Sequence, residues 1–144
     1  MKLNSPLIPL AIAMSGLTIA LSAGNAVANN LPASQTQGNI TYLTGGISES
    51  EATAIKEVAG LYPLELEFLR KAKPRDQYLA DIRVQIKDAR DMTVLNATAN
   101  GPFLLAKMPA GKYTVSAENN GKTERRKINL VTGGHRFVVF EWRK

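Results

Sequence analysis

The sequence predicts a mainly β fold, an antiparallel sandwich of about seven strands with one N-terminal α-helix. Three observations predict it. Apolar residues recur at every second position in Leu64, Leu66 and Phe68 and again in Ile82, Val84 and Ile86, the period of a strand with one buried face. Turn signals built from Gly, Pro, Asn and Asp punctuate this region about every eight to twelve residues. One segment, 48–59, has a helical period instead, and no helices alternate with the strands, which argues against a parallel βαβ sheet.

The first residues lie outside that pattern. Lys2 is followed by an apolar run from Leu7 to Leu21 and by the small-residue triplet Ala26-Val27-Ala28. This is the order of a secretory signal peptide, with cleavage expected between Ala28 and Asn29. A membrane anchor fits less well. The run is shorter than the ~20 apolar residues of a spanning helix, it has no basic flank after it, and Pro6 and Pro9 oppose a stable helix. Residues 1–28 are therefore expected to be a signal peptide, leaving no stable membrane span after cleavage. The expected location is periplasmic, or secreted.

The chain contains no cysteine. That excludes disulfides, a thiol nucleophile, a thiolate metal site and lipid attachment to a new N-terminal cysteine. A signal peptide without disulfides suits a bacterial periplasm. Residues 29–144 are long enough to bury a core without such cross-links. The formal net charge is +6, and loss of Lys2 with the leader lowers it by one. A basic excess favours anionic partners such as lipid headgroups, glycans or acidic proteins, or simply keeps the surface soluble. Nucleic acid is a poor partner for an exported chain.

Residues 29–46 read as a flexible lead, polar and small, with a short edge strand at Ile40 to Leu43 and a Gly45-Gly46 break. The helix follows. Ser48 and Glu51 form a capping-box pattern in which each side chain serves the other's free N–H. Ala52, Ile55, Val58 and Ala59 supply one apolar face, and Gly60 ends the helix. Strands are then expected at 64–68, 81–88, 92–99, 103–108, 113–118, 122–130 and 137–142. The charged stretch 71–77, the turn 88–91, Asn100-Gly101-Pro102, Asn119-Asn120-Gly121 and Gly133-Gly134 separate them. Asn-Gly accepts the positive φ angles of a two-residue hairpin loop. Residues 47–144 are thus expected to form one helix-plus-sandwich domain.

Pro109, Gly111 and Tyr113 define a structural corner. Pro109 fixes φ and Gly111 is permissive, so the chain can leave one sheet for the other. Tyr113 can pack its ring inward while its hydroxyl reaches a polar partner. The run from Gly101 through Phe103, Leu105, Pro109, Gly111 and Tyr113 to Val115 resembles the signature of carboxypeptidase regulatory-like domains, the transthyretin-like or prealbumin-like sandwich. The strand at 81–88 with its turn is similar to the family's preceding segment, with Arg90 or Asp91 where Gly is usual and Met108 where Leu is common. The resemblance covers about residues 78–142. Tyr42 to Ser48 and the helix look like the front end of small exported proteobacterial proteins with this sandwich. It implies an Ig-like, transthyretin-like fold and an accessory or interaction module, with no catalytic residues to carry over.

Candidates for chemistry are few. His135 is the sole histidine and follows Gly133-Gly134, so a solvent-exposed turn residue is expected. No serine sits in a Gly-x-Ser-x-Gly elbow. Asp81, Asp88 and Asp91 lack calcium-loop spacing and read as turn caps. Glu65 and Glu67 share the outer face of one strand and are expected to be solvated and unshifted, unlike a catalytic pair. Gly45-Gly46 before the helix is a weak anion cradle. No cofactor and no metal is implied. Arg125 and Lys127 form the best basic patch, shared with Thr123. They read either as a site for an anionic partner or as charges that protect an edge strand. Phe137 to Trp142 is apolar on both faces, so its outer face needs a cover, from the helix or from a partner.

The expected function is non-enzymatic: a periplasmic binding or accessory module of the bacterial envelope, acting through a sheet face or an edge strand on a protein or envelope component. Arg125, Lys127 and Trp142 are its candidate partner-binding residues. The alternative is a small-ligand or glycan binder that uses exposed aromatics such as Tyr42, Tyr62, Tyr78 or Trp142.

Overall fold

The computed structural model describes residues 30–144. The apolar run and the cleavage position between Ala28 and Asn29 lie outside the described residues. The described chain is mainly β, with two sheets and one helix. Its strands are β1 (Gln35–Gln37), β2 (Ile40–Gly45), β3 (Leu64–Arg70), β4 (Gln77–Tyr78), β5 (Ile82–Asp88), β6 (Thr93–Ala99), β7 (Phe103–Lys107), β8 (Gly111–Asn119), β9 (Lys122–Leu130) and β10 (Arg136–Trp142). The helix α1 spans Glu49–Val58 and ends in a short 3-10 turn at Ala59–Leu61.

The sheets have the orders β1-β2-β7-β3-β10, with β4 also on β3, and β6-β5-β8-β9. Period-two alternation gives each an apolar inner face. Leu64, Leu66, Phe68, Val138, Phe140 and Trp142 of the first sheet meet Ile82, Val84, Ile86, Val115, Ala117 and Ile128 of the second in one buried cluster. The result is a sandwich-like packing of two sheets. Three aromatic rings fill the β3–β10 side, with Phe140 at 5.9 Å from Phe68 and 6.2 Å from Trp142.

Three expectations are corrected. The arrangement is not wholly antiparallel, because β10 runs parallel to β3 from Arg136↔Leu64 to Trp142↔Arg70. The lead is ordered: the strand expected at Ile40 to Leu43 is present as β2, but it lies inside its sheet between β1 and β7 and not at an edge, and Gln35–Gln37 adds the strand β1. Main-chain pairing, not side-chain burial, holds the polar β1. Finally, the helix does not cover β10. Ile55 and Ala59 pack on Leu43, Phe103 and Leu105 of β2 and β7, forming a second small core. This explains the unbroken apolar run Phe103–Ala106: both faces of β7 are covered. Phe137 on the outer face of β10 stays 48% exposed.

The capping box is also altered. Ser48 Oγ accepts from the Glu51 N–H at 3.2 Å, whereas Glu51 Oε1 reaches past Ser48 to the Gly46 N–H at 2.5 Å. Gly46 has φ +100°, and a Cβ there would strike the Phe103 ring. Glycine is therefore required where β2 turns into the helix.

Candidate functional site

The corner at 109–113 carries the chain from β7 in one sheet to β8 in the other. Gly111 has φ +155°, and the Tyr113 hydroxyl donates to the Pro109 carbonyl at 2.8 Å. The turn between β5 and β6 is held by Asp88, whose Oδ1 accepts from the N–H groups of Met92 (3.1 Å) and Arg90 (2.9 Å). Those backbone bonds hold the Asp88 carboxyl below the usual range. Asp91 has φ +63°, the left-handed conformation that glycine adopts most easily. Across the next hairpin, Asn120 and Gly121 both have positive φ, the geometry of the Asn-Gly loop.

These two turns join β5 to β6 and β8 to β9, the pairing of β5 with β8 joins the two hairpins, and the combined register builds the outer face of the four-stranded sheet. With Ile82, Val84 and Ile86 pointing inward, Arg83, Gln85 and Lys87 point outward. Pairing then aligns three rows across the sheet: Thr98, Arg83, Glu118 and Thr123; Asn96, Gln85, Ser116 and Arg125; and Thr93, Lys87, Thr114 and Lys127. Every one of these residues is polar, four are cations and one is an anion. The face is concave and encloses a groove of about 760 Å³. A smaller recess of about 400 Å³, lined by Asp88, Lys112, Tyr113 and Lys127, continues from its end at Thr114.

Charge in the groove is only partly balanced. Lys87 pairs with Asp91 at 3.6 Å. Among the described residues, no carboxylate lies within 4 Å of Arg83, Arg125 or Lys127. The groove can therefore hold an anion through guanidinium and ammonium groups, with hydroxyl and amide side chains between them as further hydrogen-bonding groups.

The other candidate residues lie elsewhere. Trp142 is 3% exposed and its Nε1–H donates to the Lys122 carbonyl at 3.0 Å. It is a core residue that ties the two sheets, not a contact for a partner. Tyr42 and Tyr62 are buried as well, which leaves Tyr78 as the exposed member of the proposed aromatic set. The strand period carries the missed signal: Trp142 shares parity with Val138 and Phe140, and Tyr42 with Ile40.

His135 stands on a surface loop, yet both ring nitrogens are engaged. Nδ1 lies 2.7 Å from the Tyr62 carbonyl and Nε2 lies 2.9 Å from Glu65 Oε2. Glu65 and Glu67 are not freely solvated. Both are half-buried beside the helix. Burial raises the Glu67 carboxyl, nearby Lys56 opposes this, and the neighbouring Glu65 adds to it. Sequence alternation placed the pair on the outer face but could not show that the helix and His135 would cover that face. Among the described residues no cluster of three or more His, Asp or Glu side chains is placed to hold a metal ion.

A comparison with protein-family models found no match for this chain. A search among curated proteins found no significant relative either. The functional reading therefore rests on the residues of the site.

Proposed function

We propose that this protein is a non-enzymatic binding module of the bacterial cell envelope, exported and cleaved after Ala28, that holds an anionic partner on the outer face of its four-stranded sheet. In this reading its sandwich is of the carboxypeptidase regulatory-like, transthyretin-like kind, and the corner Pro109–Tyr113 is a structural joint. The observation that carries the proposal is the polar groove lined by Arg83 and Arg125, with Lys127 in the adjoining recess, all three without a carboxylate within 4 Å among the described residues. An anionic component of the envelope, the acidic groups of a glycan or a lipid headgroup, matches that face in charge and in hydrogen bonding. Among the described residues no aromatic ring lines the groove, which disfavours the alternative, a neutral glycan stacked on exposed aromatics.

The test is retention of the purified protein on immobilised polygalacturonate and its sedimentation with vesicles of anionic phospholipid. Neutral dextran and phosphatidylcholine vesicles serve as controls. The proposal expects binding to at least one anionic surface that weakens as salt rises. The double variant Arg125→Glu with Lys127→Glu should fold normally and lose that binding. Equal binding by the variant overturns the proposal, as does a preference for the neutral surfaces. Retention on polygalacturonate alone assigns a glycan; sedimentation alone assigns a headgroup.

A further inference from the structure

We propose that the free edge of β10 accepts an extended acidic segment of a partner protein as an added strand. This edge belongs to the other sheet from the groove.

The parallel register with β3 decides which main-chain groups are free. The Arg136 N–H donates to the Pro63 carbonyl and the Trp142 carbonyl accepts from the Lys71 N–H, both at 2.8 Å. In a parallel pair, alternate residues direct both their N–H and C=O to the same neighbour. Positions 136, 138, 140 and 142 therefore face β3. Phe137, Val139 and Glu141 face the other way, each offering one donor and one acceptor along the open edge. β10 ends its sheet, so among the described residues no strand pairs there.

The remaining edges are short, covered or charged along their length, whereas the cations of β10 stand only at its ends. β1 is three residues long and β4 two. The edge of β6 is occupied at Asn96 by the side chain of Gln37. β9 carries exposed Lys122, Arg125 and Lys127. Lysine and arginine, short strands and side-chain covers are the usual protections of a sheet edge. β10 instead runs seven residues without proline or glycine, and its outward side chains include the half-exposed Phe137 and the half-buried Val139. Such an edge is a template for strand addition, where main-chain bonds give affinity and alternate side chains give selectivity.

Charge identifies the occupant. Arg136 stands exposed at one end of the strand and Arg143 and Lys144 at the other. The one carboxylate on the strand, Glu141, is balanced by Lys71 at 3.7 Å. A segment with an apolar, β-branched centre and acidic residues at both ends matches this edge. A second copy of the chain does not. Antiparallel pairing about Val139 would set Arg136 of each copy beside the basic tail of the other, with like charges opposed.

The experiment uses the purified protein and a labelled peptide of alternating threonine and valine with two glutamates at each end. The expected result is saturable binding that shifts the backbone amides of Phe137, Val139 and Glu141 in heteronuclear NMR spectra. A lysine-ended counterpart should bind at least tenfold more weakly. Val139→Pro removes an N–H directed at the open edge, a position where proline is tolerated, and should weaken binding at least tenfold. A peptide N-methylated at alternate residues makes the same test without altering the protein. Undiminished binding by the N-methylated peptide overturns the proposal. So do amide shifts confined to the groove around Ser116 and Arg125, and so does protection of the β10 amides in concentrated protein alone, which would assign the edge to self-pairing.

Discussion

The side-chain amide of Gln37 makes two hydrogen bonds to the main chain of Asn96, 59 residues further on: Nε2 donates to the Asn96 carbonyl at 3.1 Å and Oε1 accepts from its N–H at 2.6 Å. Gln37 belongs to the last strand of one sheet and Asn96 to the edge of the other. The amide acts as a one-residue strand and closes that side of the sandwich. On the opposite side Trp142 does the same with its bond to Lys122. Gln37→Ala should therefore cost about 1 kcal/mol in urea unfolding, the usual net value of such bonds. Amide exchange at Asn96 should accelerate more than at neighbouring β6 positions. Gln37→Glu keeps the acceptor but sets a carboxylate against the Asn96 carbonyl, so it should recover at most part of the loss.

The corner yields a backbone prediction. Gly111 has φ +155°, and a Cβ there would find ordinary contact distances to the Tyr113 ring. The cost of a side chain is therefore conformational and not a clash. Gly111→Ala and Gly111→Val should both destabilise, the valine by more than about 1 kcal/mol. Tyr113→Phe should cost about 1 kcal/mol by removing the bond to Pro109. Combining Gly111→Ala with Tyr113→Phe should give less than the sum, because the two residues hold one turn.

Much of this architecture is legible in local sequence, and the reasons are local. Alternation in 64–68, 82–86 and 113–117 assigns inner faces because the strand period is two. The Asn120-Gly121 loop and the 109–113 corner are legible because few residues accept those dihedrals. What escapes is non-local. Nothing around Arg136 states that it will pair in parallel with Leu64, since turn chemistry specifies only the neighbour along the chain. β1 escapes because Gln-Thr-Gln carries no apolar signal. The groove is half legible: Arg125 and Lys127 stand out as a basic run, whereas Arg83 joins them only through the register of β5 between β6 and β8.

Two groups at the corner give opposite pH limbs. Backbone bonds from Met92 and Arg90 lower the Asp88 carboxyl. A lowered carboxyl contributes stability that is present above its unfolded pKa of about 3.9 and is lost as pH falls through its folded value. Tyr113 is shifted upward, first by burial and then by the charge of Asp88. Its contribution is present below about pH 10 and is lost as pH rises through the folded value, when a phenolate can no longer donate to Pro109. Denaturation midpoints measured across pH should fall at both ends. Asp88→Asn should flatten the acid limb and Tyr113→Phe the alkaline limb.

His135 ties the loop before β10 to the start of β3, across the parallel pair. Its two neighbours, the Tyr62 carbonyl and Glu65, are both acceptors. Both bonds form together only when both ring nitrogens carry protons. His135→Ala should cost about 1–3 kcal/mol because it leaves the half-buried Glu65 without its partner. Glu65→Gln should cost less, since the carboxamide can donate to an unprotonated Nε2. If His135→Ala leaves the unfolding midpoint unchanged, the loop is held by the Arg136–Pro63 backbone bond alone.

Glu67 is the carboxylate most at odds with its surroundings. Burial between strand and helix raises it, Lys56 partly compensates, and Glu65 adds like charge. A raised folded value means that the protonated form is favoured in the fold. Stability linked to this group is therefore fully present below the unfolded pKa of about 4.3 and lost as pH rises through the folded value. At neutral pH the group opposes folding. Glu67→Gln should raise the unfolding midpoint at pH 7 and have little effect at pH 3, where the carboxyl is already neutral. Lys56→Met should do the reverse at pH 7, because it removes the opposing cation and its contact with the Phe103 ring at 5.5 Å. Urea midpoints for both variants at the two pH values decide the matter: a stabilisation of Glu67→Gln that persists unchanged at pH 3 would assign its effect to packing and not to charge.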